Sequence, residues 1–467
     1  MGLDRTAAGG LPLPAGTVQL AVLVLETIVP PCAPPTLRAE FMDWIVCLMV
    51  ESGMMRAHMG AAIRFEGRLD EQRLARALRL LLDAEPVLGC RFVAEHDLPH
   101  WERPDDLDGL VTVPVRVSDD AAADAASFVA AGLDIHGGPQ VFAEVFRSPG
   151  GDTLAVKVNH ASVDGGAMKQ TLYHLAQIYR QLASDPGYVP ECDADAPRTL
   201  AAIARTATPG ERLKALRLRR HFPRTDWSVR GLGGEGEPAY IDDVVEPLAF
   251  RRLIEFGKMR GATVHDVLLA GYYRALYAVL KPAEGSHTPV NMSADLRAWL
   301  PSGIRMAPAN LPTTWAVDVP FQGTESFEAT LARVVEQTRD FKDADVGRVR
   351  AFEAMLGDRL VRLVGMRTMR RYWARITRAF EGTGYPSLTN LGVLDEEALG
   401  FGADAPVAGA RLFGPVGHPG GFILTVSTFR HRFQLSAGID AGAMDAELAR
   451  RIVHTTAAEL RSAAGVD

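Results

Sequence analysis

Residues 153–172 read TLAVKVNHASVDGGAMKQTL. Leu154, Val156 and Val158 alternate with Ala155, Lys157 and Asn159, which is the two-residue period of a strand. Gly165-Gly166 then breaks the chain. Beyond it Met168, Leu172, Leu175 and Tyr179 recur at helical spacing. The stretch therefore reads strand, loop, helix. Its loop holds the pattern H-x-x-x-D-G in His160, Asp164 and Gly165. Composition alone predicts about 0.08 such matches in this chain. No other of the 12 histidines has an aspartate four residues on.

A histidine at a strand end is held by a rigid element and can face a cleft. Its neutral imidazole can accept a proton from a hydroxyl or amine. That chemistry suits acyl transfer in which an acceptor attacks a thioester. An aspartate at the turn can stabilise the loop, and a buried one needs a charged or hydrogen-bonding partner. Gly165 and Gly166 offer backbone conformations closed to other residues. Their amides lie near a helix N-terminus, where developing negative charge is favoured. The competing reading is a satisfied core histidine beside a helix-capping aspartate.

Outward from this unit, strands and helices are interspersed, so the class is α/β or α+β with mixed sheets. Ala61 to Phe65 reads as a strand. Asp70 opens a helix with Leu74, Ala77, Leu78, Leu81 and Leu82 on one face. Glu85-Pro86 stops it, and 87–93 reads as the next strand. Residues 1–36 form an irregular lead-in rich in Gly and Pro. Residues 186–240 read as a crossover between two halves, with a basic helical segment over 202–224 and a Gly-rich loop over 226–240. In the second half 253–260 reads as helix, ending at Gly261. Thr263 and Asp266 form a capping-box pattern that opens a helix over 267–280. A strand over 290–296, a long Arg-rich helical segment over 346–380, two strands over 422–429 and 433–439, and a final helix over 445–464 follow.

The chain has 467 residues, 47% hydrophobic and 23% charged, with a formal charge of −7. These values exclude a disordered chain, a collagen-like chain and a small disulfide scaffold. A pI near 6.0 argues against general nucleic-acid binding. Arginine supplies 44 of the 50 basic residues. Codon bias explains that skew blandly; bidentate phosphate binding would explain it functionally. Cys32, Cys47, Cys90 and Cys192 form no C-x-x-C pair, so four free thiols in a reducing cytosol are expected. The apolar run over 20–25 is too short to span a membrane, and no clear signal peptide is present. A cytoplasmic location is the expectation.

Several motifs fail. Residues 231–236 match G-x-G-x-x-G literally, but Pro238 and a polar loop follow where a helix is required. There is no P-loop, no H-E-x-x-H and no G-x-S-x-G, and no metal site is expected.

The chain resembles the superfamily of CoA-dependent acyltransferases and nonribosomal peptide synthetase condensation domains. The residues that carry the likeness are His160 to Gly165, Gly67 to Asp70 through Arg91-Phe92, Gly261 to Leu268, Asn291 to Arg297 with Asn310-Leu311, and Asn390-Leu391-Gly392. The resemblance covers roughly 40–460. The resemblance implies two chloramphenicol-acetyltransferase-like lobes with mixed sheets, over 37–185 and 241–467, and a tunnel at their interface. It implies that His160 is the catalytic base, that Asp164 is structural, and that Gly165 is the glycine after it. Arg297 matches the family's partner for that aspartate. Asn159 stands where condensation domains and wax ester synthases often carry a second histidine. The plant-type D-F-G-W-G motif is absent.

The activity so implied is acyl transfer from a CoA or phosphopantetheinyl carrier-protein thioester to a hydroxyl or amine, in bacterial lipid or secondary metabolism. It needs no permanently bound cofactor and no metal. The protein would act alone, as a monomer or homodimer. The alternative is a non-catalytic scaffold of the same fold that binds a carrier protein or ligand; epimerisation is a smaller third. Ser427 and Thr428 lie on a strand that would line the tunnel, with a structural hydroxyl as the competing reading. His265 and His431 read as capping or surface residues. The basic segments over 202–224 and 348–378 fit CoA phosphates, an acidic carrier protein, an anionic lipid surface, or simply a solvated face.

Overall fold

Strand and helical periodicity around the quoted loop both hold in a computed structural model. It describes residues 34–466 except 57, 95–97, 135, 218–228, 230–233, 235, 340, 341, 343–345, 381–385 and 418–421, and only the backbone of 376 and 378–380. Nearly all of the expected lead-in lies outside the described residues, with the apolar run over 20–25. So do most of the G-x-G-x-x-G stretch and Arg219, Arg220 and Arg224.

The first half runs β1 (Thr36–Arg38), α1 (Phe41–Glu51), β2 (His58–Phe65), α2 (Glu71–Ala84), β3 (Arg91–Val93), β4 (His100–Glu102), β5 (Val115–Val117), α3 (Ala121–Ala130), β6 (Val141–Ser148), β7 (Gly151–Asn159), α4 (Gly165–Ser184), α5 (Ala201–Arg205) and α6 (Pro209–Arg217). The second runs β8 (Pro238–Val245), α7 (Pro247–Met259), α8 (Val264–Leu280), β9 (Pro289–Asp295), β10 (Pro312–Asp318), α9 (Phe327–Arg339), α10 (Val346–Val364), α11 (Met366–Phe380), β11 (Ser387–Val393), β12 (Val407–Phe413), β13 (Ile423–Phe429), β14 (Arg432–Asp440) and α12 (Ala446–Ala463).

The strands form a small β1-β4-β3 sheet and two larger ones, β12-β2-β7-β6-β5 and β10-β9-β11-β13-β14-β8. Both larger sheets are mixed. β5 pairs parallel to β6, and β11 lies parallel to β9 and β13. Each has its own core. One packs β2, β6 and β7 against α2 and α4; the other packs β9, β13 and β14 against α8 and α12. The halves are not sealed off from each other. β12 comes from the second half and pairs antiparallel with β2 of the first.

β7 is the central strand of its sheet, and all nine of its residues are buried. Its apolar face meets α4, while Ala155 packs with Ala125 and Val129 of α3. Lys157 therefore points at the end of α3. Its ammonium donates to the carbonyl oxygens of Phe128 at 3.2 Å and of Ala131 and Gly132 at 3.4 Å each. Those groups are left unpaired where α3 stops, and a cation is favoured there.

Four expectations are corrected. The strand over 87–93 is confined to β3, because Pro86–Gly89 forms a 3-10 turn. The basic segment over 202–224 is split after Arg205, since a residue before proline disfavours the helical region and Pro209 starts α6. Thr208 and Glu211 then cap α6 reciprocally, at 2.7 and 3.3 Å. The long Arg-rich helical segment is two helices, broken at Gly365, whose φ of +77° needs glycine. Cys47 and Cys90 are free and buried, but Cys192 is in a disulfide. Cys192 belongs to no C-x-x-C pair, so spacing gives no signature of its bond.

Candidate active site

The loop between β7 and α4 is held from both halves. Asp164 is the N-cap of α4 and accepts from the Ala167 amide at 2.8 Å. Arg297 lies in a 3-10 turn, Leu296–Trp299, that directly follows β9. Its Nη1 donates to the two Asp164 oxygens at 2.9 and 2.8 Å and to Asp295 Oδ1 at 3.0 Å. Its Nη2 donates to the Ala309 carbonyl at 2.8 Å, and the Leu311 amide donates to Asp164 at 2.7 Å. Asp164 is only 5% exposed, and donors from its own helix, the turn after β9 and the segment entering β10 satisfy it.

The two glycines act through space rather than backbone freedom. Neither has a positive φ, and both lie in the first turn of α4. A Cβ on Gly165 would overlap the Leu391 side chain, and one on Gly166 would overlap the Asp295 carboxylate. Leu391 is aimed there by a bulge. Asn390 pairs with Val426 and Gly392 with Ser427, so Leu391 is the extra residue of β11, and Gly392 takes a φ of +73°.

His160 is half-buried at the end of β7. Its Nδ1 lies 2.8 Å from the Val163 carbonyl oxygen. Among the described residues Nε2 has no hydrogen-bond partner. Asn310 donates from one Nδ2 to the carbonyls of His160 and Ala161, at 2.6 and 2.8 Å. Asn159 holds the near end. Its amide nitrogen donates to Gln140 Oε1, and its oxygen accepts from the Ala161 amide at 2.9 Å. Replacing Asn310 with Ala strips a donor from one buried and one part-buried carbonyl, which costs about 1–3 kcal/mol. Urea unfolding of Asn310→Ala measures this; a midpoint equal to wild type would contradict the clamp.

His160, Asp164, Gly165 and Arg297, matched from sequence, thus stand together. Ser427 and Thr428 do not join them by any described contact. Ser427 is fully buried and its hydroxyl oxygen accepts from the Leu412 amide at 3.2 Å, tying β12 to β13. Thr428 is buried beside it, and its carbonyl accepts from Leu394 at 2.8 Å. His265 follows the N-cap of α8 and contacts Met292 Sδ at 2.9 Å; burial pushes its imidazole down to about 4. His431 sits in the two-residue β13–β14 turn against the Phe250 ring.

Sequence reading missed a second clamp. Arg198 is buried, donating to Asp43 at 3.0 and 3.3 Å, to the Pro308 carbonyl at 2.9 Å and to the Ser162 carbonyl at 3.3 Å. Trp101 Nε1 donates to the same Asp43 at 2.9 Å. One signal was available, for Asp43 is a lone acid inside the apolar run FMDWIVCLMV, and a buried carboxylate demands a partner.

No family model matches the chain, and no curated protein does. Solved structures do. Polyketide synthase associated protein 5 from Mycobacterium tuberculosis aligns with 14% identity and a TM-score of 0.63, over 91% of this chain and 98% of that one. Trichothecene 15-O-acetyltransferase from Fusarium sporotrichioides aligns with 13% identity and a TM-score of 0.69, over 92% and 95%. The first condensation domain of the CDA synthetase aligns with 17% identity and a TM-score of 0.61, over 92% and 98%. Over nine-tenths of its length, then, this chain has the two-lobed fold of condensation domains and their acyltransferase relatives.

Proposed function

We propose that the protein is an acyltransferase. It moves an acyl group from a CoA or phosphopantetheinyl carrier-protein thioester to a hydroxyl or amine, forming an ester or amide in bacterial lipid or natural-product metabolism. The observation that carries this reading is the contact between His160 Nδ1 and the Val163 carbonyl oxygen. A carbonyl only accepts, so Nδ1 carries a proton, and in the neutral imidazole the lone pair then lies on Nε2.

In the proposed step Nε2 removes the acceptor's proton as the acceptor oxygen or nitrogen bonds to the thioester carbonyl carbon. The carbonyl π electrons move onto oxygen. When the C=O re-forms, the C–S bond breaks and the imidazolium returns its proton to the departing thiolate. No acyl–enzyme bond is made. Asp164, Arg297 and Asn310 are positioning residues that fix the loop bearing His160. Likeness in fold to an acetyltransferase and to condensation domains supports the reaction class.

Incubating the full chain with acyl-CoA and acyl-pantetheine thioesters of graded length, with and without alcohols and amines, tests this reading. Acceptor-dependent thiol release is expected. Bound thioester with no release from any donor–acceptor pair would favour the non-catalytic scaffold instead.

A further inference from the structure

The second half of α10 and all of α11 have an unusual charge pattern. Residues 359–380 contain seven arginines, at 359, 362, 367, 370, 371, 375 and 378, and no acidic residue, in a chain of formal charge −7. Arg362 and Arg370 have structural tasks. Arg362 pairs with Asp358 at 2.9 Å and donates to the Ala39 carbonyl at 2.9 Å. Arg370 grips Glu51 at 2.9 and 2.8 Å. These contacts, with Met369 and Trp373 packed on the first core, dock α11 by its inner side.

The outer side is different. Arg367, Arg371 and Arg375 recur every four residues along α11 and are exposed. Arg359 is exposed one turn before the end of α10. Exposed apolar side chains occur in the same segment: Leu363 is 83% exposed, Tyr372 57% and Leu360 55%. Met54 is also exposed, and α11 reaches that neighbourhood through Trp373 Nε1, which donates to Ser52 Oγ at 3.1 Å. Gly365 joins the two helices, its amide closing onto the Val361 carbonyl at 2.9 Å.

We propose that this face docks on an anionic lipid surface. Clustered guanidinium groups are drawn to acidic headgroups, and apolar side chains among them can enter the boundary below the headgroups. A nucleic-acid backbone would satisfy the arginines but offers no apolar layer to Leu360 and Leu363. The inference does not depend on the proposed acyl transfer, since no residue of the His160 loop contributes to this face.

The test uses the full chain and two sets of vesicles, pure phosphatidylcholine and phosphatidylcholine with one-third phosphatidylglycerol, in a co-sedimentation assay. Each basic residue near such a surface strengthens binding about five-fold. The triple variant Arg359→Gln, Arg371→Gln, Arg375→Gln should therefore bind the anionic vesicles about 100-fold more weakly. Leu363→Ser should weaken binding about ten-fold or more, because the burial of a leucine is lost. Raising the salt should release wild-type protein. These side chains are exposed, so both variants should keep the wild-type melting temperature. Equal binding to the two kinds of vesicle, or anionic binding untouched by the triple variant, would overturn the proposal. So would retention on an acidic carrier protein with no vesicle binding.

Discussion

Arg297→Met should lower the free energy of unfolding by about 3–5 kcal/mol. Arg297 and Asp164 are both largely buried, with side chains 11% and 7% exposed. Methionine keeps much of the volume and removes the charge. Asp164 would then retain only the Ala167 and Leu311 amides, and Asp295 would lose its shared partner. An uncompensated buried carboxylate is the expensive outcome, more so than the loss of the pair's own attraction. The Ala309 carbonyl would also lose its donor. Because Arg297 joins the second half to the loop of the first, transfer activity should fall even where the variant folds. A urea transition that shifts by less than about 1 kcal/mol would show that the pair is not structural.

His160→Ala should behave in the opposite way. Among the described residues the imidazole makes one side-chain hydrogen bond, to a carbonyl three residues on. Its loss should cost about 1 kcal/mol of stability, so the protein should stay folded. Transfer should fall by about 10²–10⁴-fold, the contribution of a positioned general base. Comparable rates for variant and wild type, at a matched melting temperature, would remove His160 from the mechanism. The two variants separate the proposed roles: Arg297 acting on the loop, His160 on the acceptor.

Much of this was legible in the sequence where a local signal existed. Alternation at Leu154–Val158 and helical spacing at Met168–Tyr179 placed β7 and α4, and H-x-x-x-D-G placed His160 and Asp164 between them. Asp70 and Thr263 cap the helices they were read to cap. The misses have physical causes. Gly365 reads as one more residue of a periodic helix until its left-handed backbone is seen. The requirement for Gly165 and Gly166 was legible but its reason was not, since the clashing side chains, Leu391 and Asp295, are far away in sequence. Arg198 gave no warning, because a buried arginine is recognised only through partners that tertiary structure supplies. The β12–β2 pairing was equally invisible, as register between distant strands is written in no local pattern.

The central claim is direct transfer to an acceptor deprotonated by His160. A single-turnover experiment with acyl donor alone and then with acceptor added, following free thiol and the intact mass of the protein, tests it most directly. Direct transfer gives no thiol release above background without acceptor, rapid release and ester or amide product with it, and an unchanged protein mass throughout. A burst of thiol without acceptor, accompanied by a protein heavier by one acyl group, would contradict it.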